Sequence, residues 1–234
     1  MRIAVINRSG NTGKSTFVRH GLAPYMPEAE VLAVESINAD EMATASQTIM
    51  RGEEFGKLYA RLLSVDDAIV DIGASNVEDF LGLMSDYDGS YDVFDMYIVP
   101  SVPDAKQQKD TRATIEDLRE FNVDPEKIRL LFNMANKRTL LTDDFASLYH
   151  FHNFGSAFQI NDQAVLYKSP AYSAASAAGQ TIGELASSRD QYKEQLAGVT
   201  DPIKRMKWTQ RLADAALAVG AKAQIDRAVA ALLE

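Results

Sequence analysis

The sequence contains no cysteine among its 234 residues. Disulfide bonds, zinc sites built on thiolates and iron–sulfur clusters are therefore excluded, and the composition fits a reducing compartment. The chain also lacks an apolar signal core at its beginning and an apolar run long enough to cross a bilayer. We therefore expect a cytoplasmic protein that does not bind membranes.

Positive charge is scarce, because 24 lysines and arginines stand against 33 aspartates and glutamates, which gives a formal net charge of −9. Such a balance argues against a chain that simply coats nucleic acid, although a local basic patch is compatible with it. Internal repeats and linkers rich in proline, glycine or serine are also missing. We therefore predict a single domain over residues 1–234, which includes the C-terminal helices from about residue 181 onward.

The chain begins with a strand, a turn-rich loop and a helix, in the stretch MRIAVINRSGNTGKST. The run IAVI predicts a buried strand, and an apolar-periodic helix follows the loop. Gly10 and Gly13 would let backbone N–H groups point inward beside the positive end of that helix, which forms a cradle for phosphate. Lys14 would reach the β- and γ-phosphates, and the Ser15 hydroxyl would hold Mg²⁺. The strict P-loop pattern has glycine where this chain has Arg8.

Further apolar runs predict more strands, and helical patterns separate them. The predicted strands cover residues 31–35, 68–71, 93–100 and 127–133, with a short final strand at 155–160. This alternation predicts an α/β fold with a doubly wound, mostly parallel sheet flanked by helices, followed by a helical C-terminal region. Ligands of such sheets bind at the carboxyl ends of the strands, where the loop, Asp71, Pro100 and Asn133 all fall.

The helices are predicted from periodicity and from capping residues. Residues 40–63 show an apolar helical face. His20, on the first helix, is expected at the surface or at the core boundary. Gly220 is expected to end one helix, before a last helix at 221–234. Capping patterns predict three further helix starts, at Asn76, at Thr181 with Glu184, and at Asp201 with Pro202.

Residues 7–16, which read NRSGNTGKST, resemble the deviant Walker A loop of the ParA/MinD-type P-loop ATPases, whose usual form is K-G-G-x-G-K-[ST]-[ST]. Asp71 in AIVDIGAS is similar to the aspartate that ends the Walker B strand in that family. Residues 97–103, 131–133 and 174–185 resemble other family segments, so the resemblance spans nearly the whole chain. Within the family, the opening stretch is most similar to StbB-like plasmid-stability proteins.

This resemblance implies a P-loop NTPase that binds ATP or ADP together with Mg²⁺. In the family, ATP drives the formation of a nucleotide-sandwich homodimer, and hydrolysis resets it. Partition members use this cycle on plasmid DNA, together with a DNA-binding partner protein. The chain would then be a switch ATPase for plasmid partition and stability, or for the intracellular positioning of DNA.

The resemblance also implies roles for individual residues. Lys14 would carry the phosphate charge, and Ser15 with Asp71 would hold Mg²⁺. The alternative for Asp71 is a buried capping residue. Asn133 would meet the adenine edge or, alternatively, cap a loop. The residues implied to contact the nucleotide are Ser9, Gly10, Asn11, Thr12, Gly13, Lys14, Ser15, Thr16 and Asn133.

Two departures from the family pattern affect the expected hydrolysis. The signature lysine falls on Ser9, and the adjacent Arg8 would either supply the catalytic charge across the dimer or remain a solvated loop arginine. After the second strand, Glu35 fits the first family acid, whereas Ile37 stands in the place of the second. Hydrolysis would therefore be slow or partner-stimulated. Glu35 and Asp40 fit equally well a strand-end polar group and a helix cap.

A basic cluster near the C-terminus surrounds Trp208 and is made of Lys204, Arg205, Lys207 and Arg211. It predicts either a nonspecific contact with DNA phosphates or a solvated helix face. The last helix has an apolar face that resembles the membrane-targeting tail of MinD. Its few basic residues predict packing on the body of the protein instead.

Two other functions remain open at the level of sequence. The first is a small-molecule synthetase of the same fold, which would need a carboxylate-binding group of residues near the loop. The second is a nucleotide-gated adaptor for DNA or a membrane that binds ATP and scarcely hydrolyses it. Turnover and its response to small metabolites distinguish these functions from a switch ATPase.

Overall fold

The computed structural model describes residues 1–35, 48–50, 55–155 and 157–234. Within them the chain forms one parallel seven-stranded sheet, in the order β3-β2-β4-β1-β5-β6-β7. The strands are β1 Arg2–Val5, β2 Glu30–Val34, β3 Thr48–Met50, β4 Ala68–Ile72, β5 Met96–Ser101, β6 Ile128–Ala135 and β7 Val165–Tyr167. The strand that precedes the glycine loop is therefore central in the sheet.

Helices cover both faces of the sheet. The first helical stretch has three parts, α1 Lys14–Phe17, a π-helical segment Val18–Leu22 and α2 Ala23–Tyr25. The other α-helices of the described residues are α3 Phe55–Ser64, α4 Val77–Ser85, α5 Ala105–Glu120, α6 Leu141–Asp144, α7 Ala146–Gly155, α8 Ala171–Ala177, α9 Ile182–Ser187, α10 Arg189–Ala197 and α11 Pro202–Leu233. None of the described helices combines the length and the apolar character that a bilayer crossing demands.

The core consists of two apolar layers, one on each side of the sheet. Side chains alternate along a strand, so Ala4 contributes to one layer and Val5 to the other. Helices α3, α4, α5 and α7 pack on the first layer, and the first helical stretch packs on the second with α8, α9 and α11. The structure thus confirms the predicted α/β fold with a doubly wound parallel sheet and a helical C-terminal region.

The capping predictions are confirmed at two helices. Thr181 and Glu184 form a reciprocal capping box at α9, and the Asp201 carboxylate accepts the Lys204 N–H at α11. Asn76 occupies the N-cap position of α4, but its side chain makes no capping hydrogen bond there. Its amide instead approaches the Val34 carbonyl oxygen at 3.5 Å.

The predicted helix over residues 40–63 is wrong in its middle part. Residues 48–50 form strand β3, which pairs with β2, and only the segment from Phe55 onward is helical, as α3. The apolar spacing continued across the strand, so periodicity could not separate a short edge strand from a helix. The predictions for residues 40–47 and 51–54 lie outside the described residues.

Two further boundaries differ from the sequence-based prediction. The described residues of the segment 155–160 form no strand, because Gly155 ends α7 and Gln159 makes an isolated bridge to Arg129. The edge strand is β7, whose three residues are too few to give a periodic signal. Gly220 does not end a helix, since α11 runs through it as one helix of 32 residues. A glycine inside a helix costs about 1 kcal/mol relative to alanine, which packing on the body offsets.

Candidate phosphate-binding site

The loop between β1 and α1 is fixed by Asn7, whose side chain is fully buried. Its Nδ2 atom donates to the Pro100 carbonyl oxygen and to Thr111 Oγ1, both at 2.8 Å. Its Oδ1 atom accepts the Ser9 N–H at 2.7 Å, which starts the turn of the loop. One side chain therefore ties the loop to the carboxyl end of β5 and to α5.

Three further contacts hold the loop on α5. The Arg8 N–H donates to Thr114 Oγ1 at 3.0 Å, and Gln107 Nε2 donates to the Gly10 carbonyl oxygen at 2.8 Å. The Arg8 Nε atom lies 2.6 Å from Asp117 Oδ2, as an ion pair. Burial raises the pKa of Asp117, and Arg8 opposes that rise. Arg8 is thus engaged within its own chain, and its role across a dimer stays a prediction.

Gly13 and Asn133 meet at the end of the loop. Gly13 has a φ of 85°, in the left-handed region, and a Cβ atom there would lie 2.2 Å from Asn133 Nδ2. Asn133 donates through Nδ2 to the Thr12 carbonyl oxygen at 2.8 Å and accepts the Met134 N–H at 2.9 Å through Oδ1. These contacts agree with the alternative role of Asn133, in which it caps a loop. Contact of Asn133 with an adenine edge stays a prediction.

Lys14 is folded back onto the loop. Its Nζ atom donates to the carbonyl oxygens of Asn7 and Ser9, both at 3.0 Å, and the residue is only 7% exposed. Burial lowers the pKa of Lys14, and the nearby carboxylates of Asp71 and Glu35 oppose that shift. The loop thus holds a buried ammonium group beside two acids.

Asp71 and Ser15 form the pair that the sequence predicted for Mg²⁺. Asp71, at the carboxyl end of β4, is 2% exposed, and its carboxylate is hydrogen bonded to the Ser15 side chain. Burial raises the pKa of Asp71 against the opposing effects of Ser15 and Lys14. Its Oδ1 atom is buried and has no hydrogen-bond partner among the described residues. A carboxylate oxygen left open beside a hydroxyl fits a hard cation such as Mg²⁺.

Glu35 extends this charged group from the end of β2. Burial raises the pKa of Glu35, Asp71 adds to the rise and Lys14 opposes it. Gly73 makes room for Glu35, since a Cβ atom there would stand 2.5 Å from Glu35 Oε2. The predicted first acid is therefore part of the site. The predictions for Ile37 and Asp40 lie outside the described residues.

A cavity of about 230 Å³ opens beside the loop, on the side of α1 and β6. Thr16 and Asn133 line it next to the loop, and His20 and Tyr172 line it farther away. The expectation that His20 lies at the surface or at the core boundary is wrong, because its side chain is 6% exposed. Its Nδ1 atom accepts the Ile182 N–H at 3.1 Å, so the start of α9 covers it.

Protonation of His20 is expected to destabilise the fold at low pH. Burial lowers the pKa of His20 from 6.5 to about 4, so the unfolded chain binds the proton more readily. The free energy of unfolding should therefore fall by about 2 kcal/mol between pH 7 and pH 5 through this group. Urea titrations of the wild type and of His20→Gln at both pH values measure it. Equal pH dependence in the two proteins would contradict the prediction.

The basic cluster lies on the first turns of α11, outside the loop site. Lys204, Arg205, Lys207 and Arg211 are exposed there, and the Arg211 guanidinium lies 5.0 Å from the Trp208 ring centroid. The last turns of α11 bury Ile225, Ala228, Val229 and Leu232 against the body, as predicted for the apolar face.

No protein-family model and no curated protein sequence matches the chain. Among solved structures, an ATP complex of a McdA variant from Cyanothece aligns with a TM-score of 0.52 at 14% identity, over 79% of this chain and 89% of that one. Apo McdA gives a TM-score of 0.53 at 14% identity, over 79% and 92%. The MinC:MinD complex of Aquifex aeolicus also aligns, with a TM-score of 0.50 at 12% identity, over 77% of this chain and 86% of the matched chain. The chain has the ParA/MinD-type P-loop fold.

Within this ParA/MinD-type fold, the predicted site residues fall into two groups. Lys14, Ser15, Asp71 and Glu35 come together at the carboxyl edge of the sheet. The basic cluster stays apart on α11. Sequence reasoning missed the anchoring role of Asn7, although its position directly after the strand was a signal. It also missed Tyr172, which no local pattern of residues marks.

Proposed function

We propose that this protein is an ATP-dependent, dimerising switch ATPase of the ParA/MinD kind. It acts in plasmid partition and stability, or in the positioning of DNA, together with a DNA-binding partner protein. The observation that carries the proposal is the meeting of Lys14, Ser15 and Asp71 at the carboxyl edge of a parallel sheet. This arrangement suits a nucleoside triphosphate and its metal ion, because a lysine and a hydroxyl follow the glycine loop and an acid lies beside them.

Phosphate binding would use the loop as it is built. Lys14 leaves the carbonyl oxygens of Asn7 and Ser9 and turns to the β- and γ-phosphates, which replace them as partners of the ammonium group. The N–H groups at the start of α1 add favourable dipoles. Asn133 keeps Gly13 in its left-handed conformation, because it holds the carbonyl group of Thr12. Thr16 and Asn133 lie between this cradle and the cavity that would receive the base.

Metal binding would use the open oxygen of Asp71 and the hydroxyl of Ser15. A bound Mg²⁺ ion supplies charge stabilisation for the phosphoryl group that is transferred. Glu35 has a raised pKa beside this pair, which suits a residue that accepts a proton from water or orients it. Hydrolysis is slow or partner-stimulated, since Ile37 replaces the second family acid. Arg8 adds charge across the dimer after it separates from Asp117.

Partner binding is part of the proposal. The solved MinD structure contains MinC, which supports a surface for a partner protein in this fold. The basic cluster on α11 would contact DNA phosphates without sequence preference, and that contact weakens as salt rises. The chain carries a formal net charge of −9, so the rest of its surface would repel DNA phosphates. The contact with DNA would therefore be limited to the basic cluster.

Dimer formation through the loop site should require a triphosphate in that site. We expect the wild type to dimerise with a nonhydrolysable ATP analogue and Mg²⁺ but not with ADP, as measured by light scattering after gel filtration. Lys14→Ala should bind neither nucleotide and show no such response, because the phosphate charge is then unpaired. Lys193→Ala, which removes an exposed lysine of α10, is the matched control.

Three outcomes would contradict the proposal. An analogue that neither binds nor shifts the wild type toward a dimer overturns the switch. A dimer that forms without any ATP turnover, with DNA or alone, indicates an adaptor. Phosphate release that a small metabolite raises, and that DNA leaves unchanged, indicates a synthetase.

A further inference from the structure

Helix α11 carries a row of exposed residues that faces solvent, here called the α11 stripe. Its spacing alternates between three and four residues, which is the seam of a coiled coil. Ile203 is 77% exposed, Met206 is 72% exposed and Leu217 is 40% exposed. These are large apolar side chains in water. The stripe consists of Ile203, Met206, Gln210, Ala213, Leu217 and Gly220.

All six residues of the stripe are exposed to solvent. The first half of α11 turns Trp208 to the body, and the spacing of a helix places Met206 and Gln210 on the opposite side. Trp208 meets Tyr192 of α10 on that inner side, with ring centroids 5.7 Å apart. A shallow groove of about 420 Å³ runs along the outer side, and every residue that lines it belongs to α11.

We propose that the α11 stripe pairs, antiparallel, with the same stripe of a second copy of this chain. In this pairing the two-fold axis lies between Gln210 and Ala213. Residues of complementary size then face each other across the axis. Ile203 meets the partner's Gly220, and Met206 meets the partner's Leu217. Gln210 meets the partner's Ala213. The two small residues let the helix axes approach, and the large ones fill the space above them.

Charge selects this direction over a parallel one. The first turns of α11 carry Lys204, Arg205, Lys207 and Arg211, so a parallel pair would bring four positive charges of each helix together. Antiparallel pairing separates the two clusters to opposite ends. It also sets Lys207 near the partner's Asp214, on the flank of the seam, and does so twice by symmetry. Like charges are thus kept apart and opposite charges meet.

The basic cluster and the α11 stripe share no residue. Lys204, Lys207 and Arg211 recur at a helical spacing on the side of α11 that carries Trp208, and the Arg211 guanidinium contacts the Trp208 ring. Pairing through the stripe therefore leaves Lys204 and Arg211 accessible, whereas Lys207 lies on the flank of the seam and Arg205 lines the outer groove. It also needs no nucleotide, since no residue of the stripe belongs to the loop site.

The size of the contact predicts its strength. The stripe runs over residues 203–220, which is about 27 Å of helix. Two such helices bury an area at the low end of specific interfaces, on the order of 1,000 Å². The pairing is therefore a weak, concentration-dependent one, and covalent capture is the appropriate probe.

Cysteine cross-linking tests the register directly, because the chain contains no cysteine of its own. Met206→Cys and Leu217→Cys are made separately, with a tag on one of them, mixed without nucleotide and oxidised with glutathione disulfide. We expect the tagged–untagged heterodimer in the mixture and little dimer from either variant alone. In the antiparallel register, like positions lie about 16 Å apart along the axis.

Matched controls make this outcome decisive. In the proposed register, residue 204 is level with the partner's residue 219 along the helix axis, but both positions lie off the stripe. A mixture of Lys204→Cys and Val219→Cys should therefore give background cross-linking only. Lys14→Ala introduced into the cross-linking pair should leave the heterodimer unchanged, which separates this proposal from the nucleotide-driven dimer. Met206→Glu in otherwise wild-type protein should abolish nucleotide-free self-association in sedimentation equilibrium.

Several results would overturn the pairing. Homodimers of Met206→Cys alone would show a parallel arrangement. Cross-linking no greater than that of the control mixture, or a wild type that stays monomeric at the highest concentration reached, would exclude a second copy as the occupant. The stripe would then belong to a different protein.

Discussion

Asp71→Asn should reduce Mg²⁺-dependent ATP hydrolysis by about 100-fold or more. The same substitution should raise the thermal stability of the nucleotide-free protein. Activity and stability move in opposite directions because one oxygen of the buried carboxylate has no hydrogen-bond partner among the described residues, and a bound cation would satisfy it. The amide keeps the shape of the side chain and its contact with Ser15, but it removes the charge on which a metal ion depends.

The stability of the wild type should therefore depend on pH through Asp71. Burial raises the pKa of Asp71, so the folded protein binds that proton more tightly than the unfolded chain does. The contribution to the free energy of unfolding is fully present below the usual carboxyl pKa and is lost as pH rises toward the raised value. Asp71→Asn lacks this loss, and urea titrations across the acidic range measure the difference.

Asp79→Asn is the control for this prediction, since Asp79 is an exposed acid near the start of α4. It should leave hydrolysis, Mg²⁺ dependence and stability close to those of the wild type. Hydrolysis by Asp71→Asn at the wild-type rate would remove Asp71 from the metal site. A lower thermal stability of nucleotide-free Asp71→Asn would show that Ser15 and Lys14 stabilise the Asp71 carboxylate by more than its burial costs.

Gly13→Ala should disrupt the loop, whereas Gly10→Ala should be tolerated. A Cβ atom at Gly13 would lie 2.2 Å from Asn133 Nδ2, on a backbone with a φ of 85°. The left-handed conformation alone costs a residue with a side chain about 1–2 kcal/mol, and the clash adds to it. We expect unfolding to become easier by about 2 kcal/mol or more and nucleotide binding to be lost.

Gly10 offers a matched comparison within the same loop. A Cβ atom there would meet nothing within 4 Å, and its φ lies outside the left-handed region. Gly10→Ala should therefore change the free energy of unfolding by a few tenths of a kcal/mol. The double variant Gly13→Ala with Asn133→Ala should recover part of the lost stability, because the clash disappears and the strain remains. Equal losses in the two single glycine variants would contradict this account.

The sequence was sufficient for the parts of the site that depend on order along the chain. A phosphate loop needs a strand, glycines, a lysine and a helix in succession, and those are local features. Asp71 could be placed because a short apolar run ends at it, and parallel strands bring their carboxyl ends to one edge. The same reasoning predicted the doubly wound sheet.

Features that depend on neighbours distant in sequence were not accessible in this way. The burial of His20 arises from the start of α9, more than a hundred residues later, and the chain carries no local sign of it. Strand β3 is defined by its pairing with β2, which the helical spacing of nearby residues obscured. The continuity of α11 through Gly220 depends on the body against which Ala218 and Ala221 pack.

The contacts between the loop and α5 couple the position of that helix to the position of the loop. Gln107, Thr111, Thr114 and Asp117 recur along one face of α5, and each contacts the loop segment from Asn7 to Gly10. A helix of 16 residues is a stiff rod about 24 Å long. Because these contacts run along most of α5, a displacement of the loop would move the whole helix with it as a rigid body, and the position of Glu120 would then depend on the state of the phosphate site.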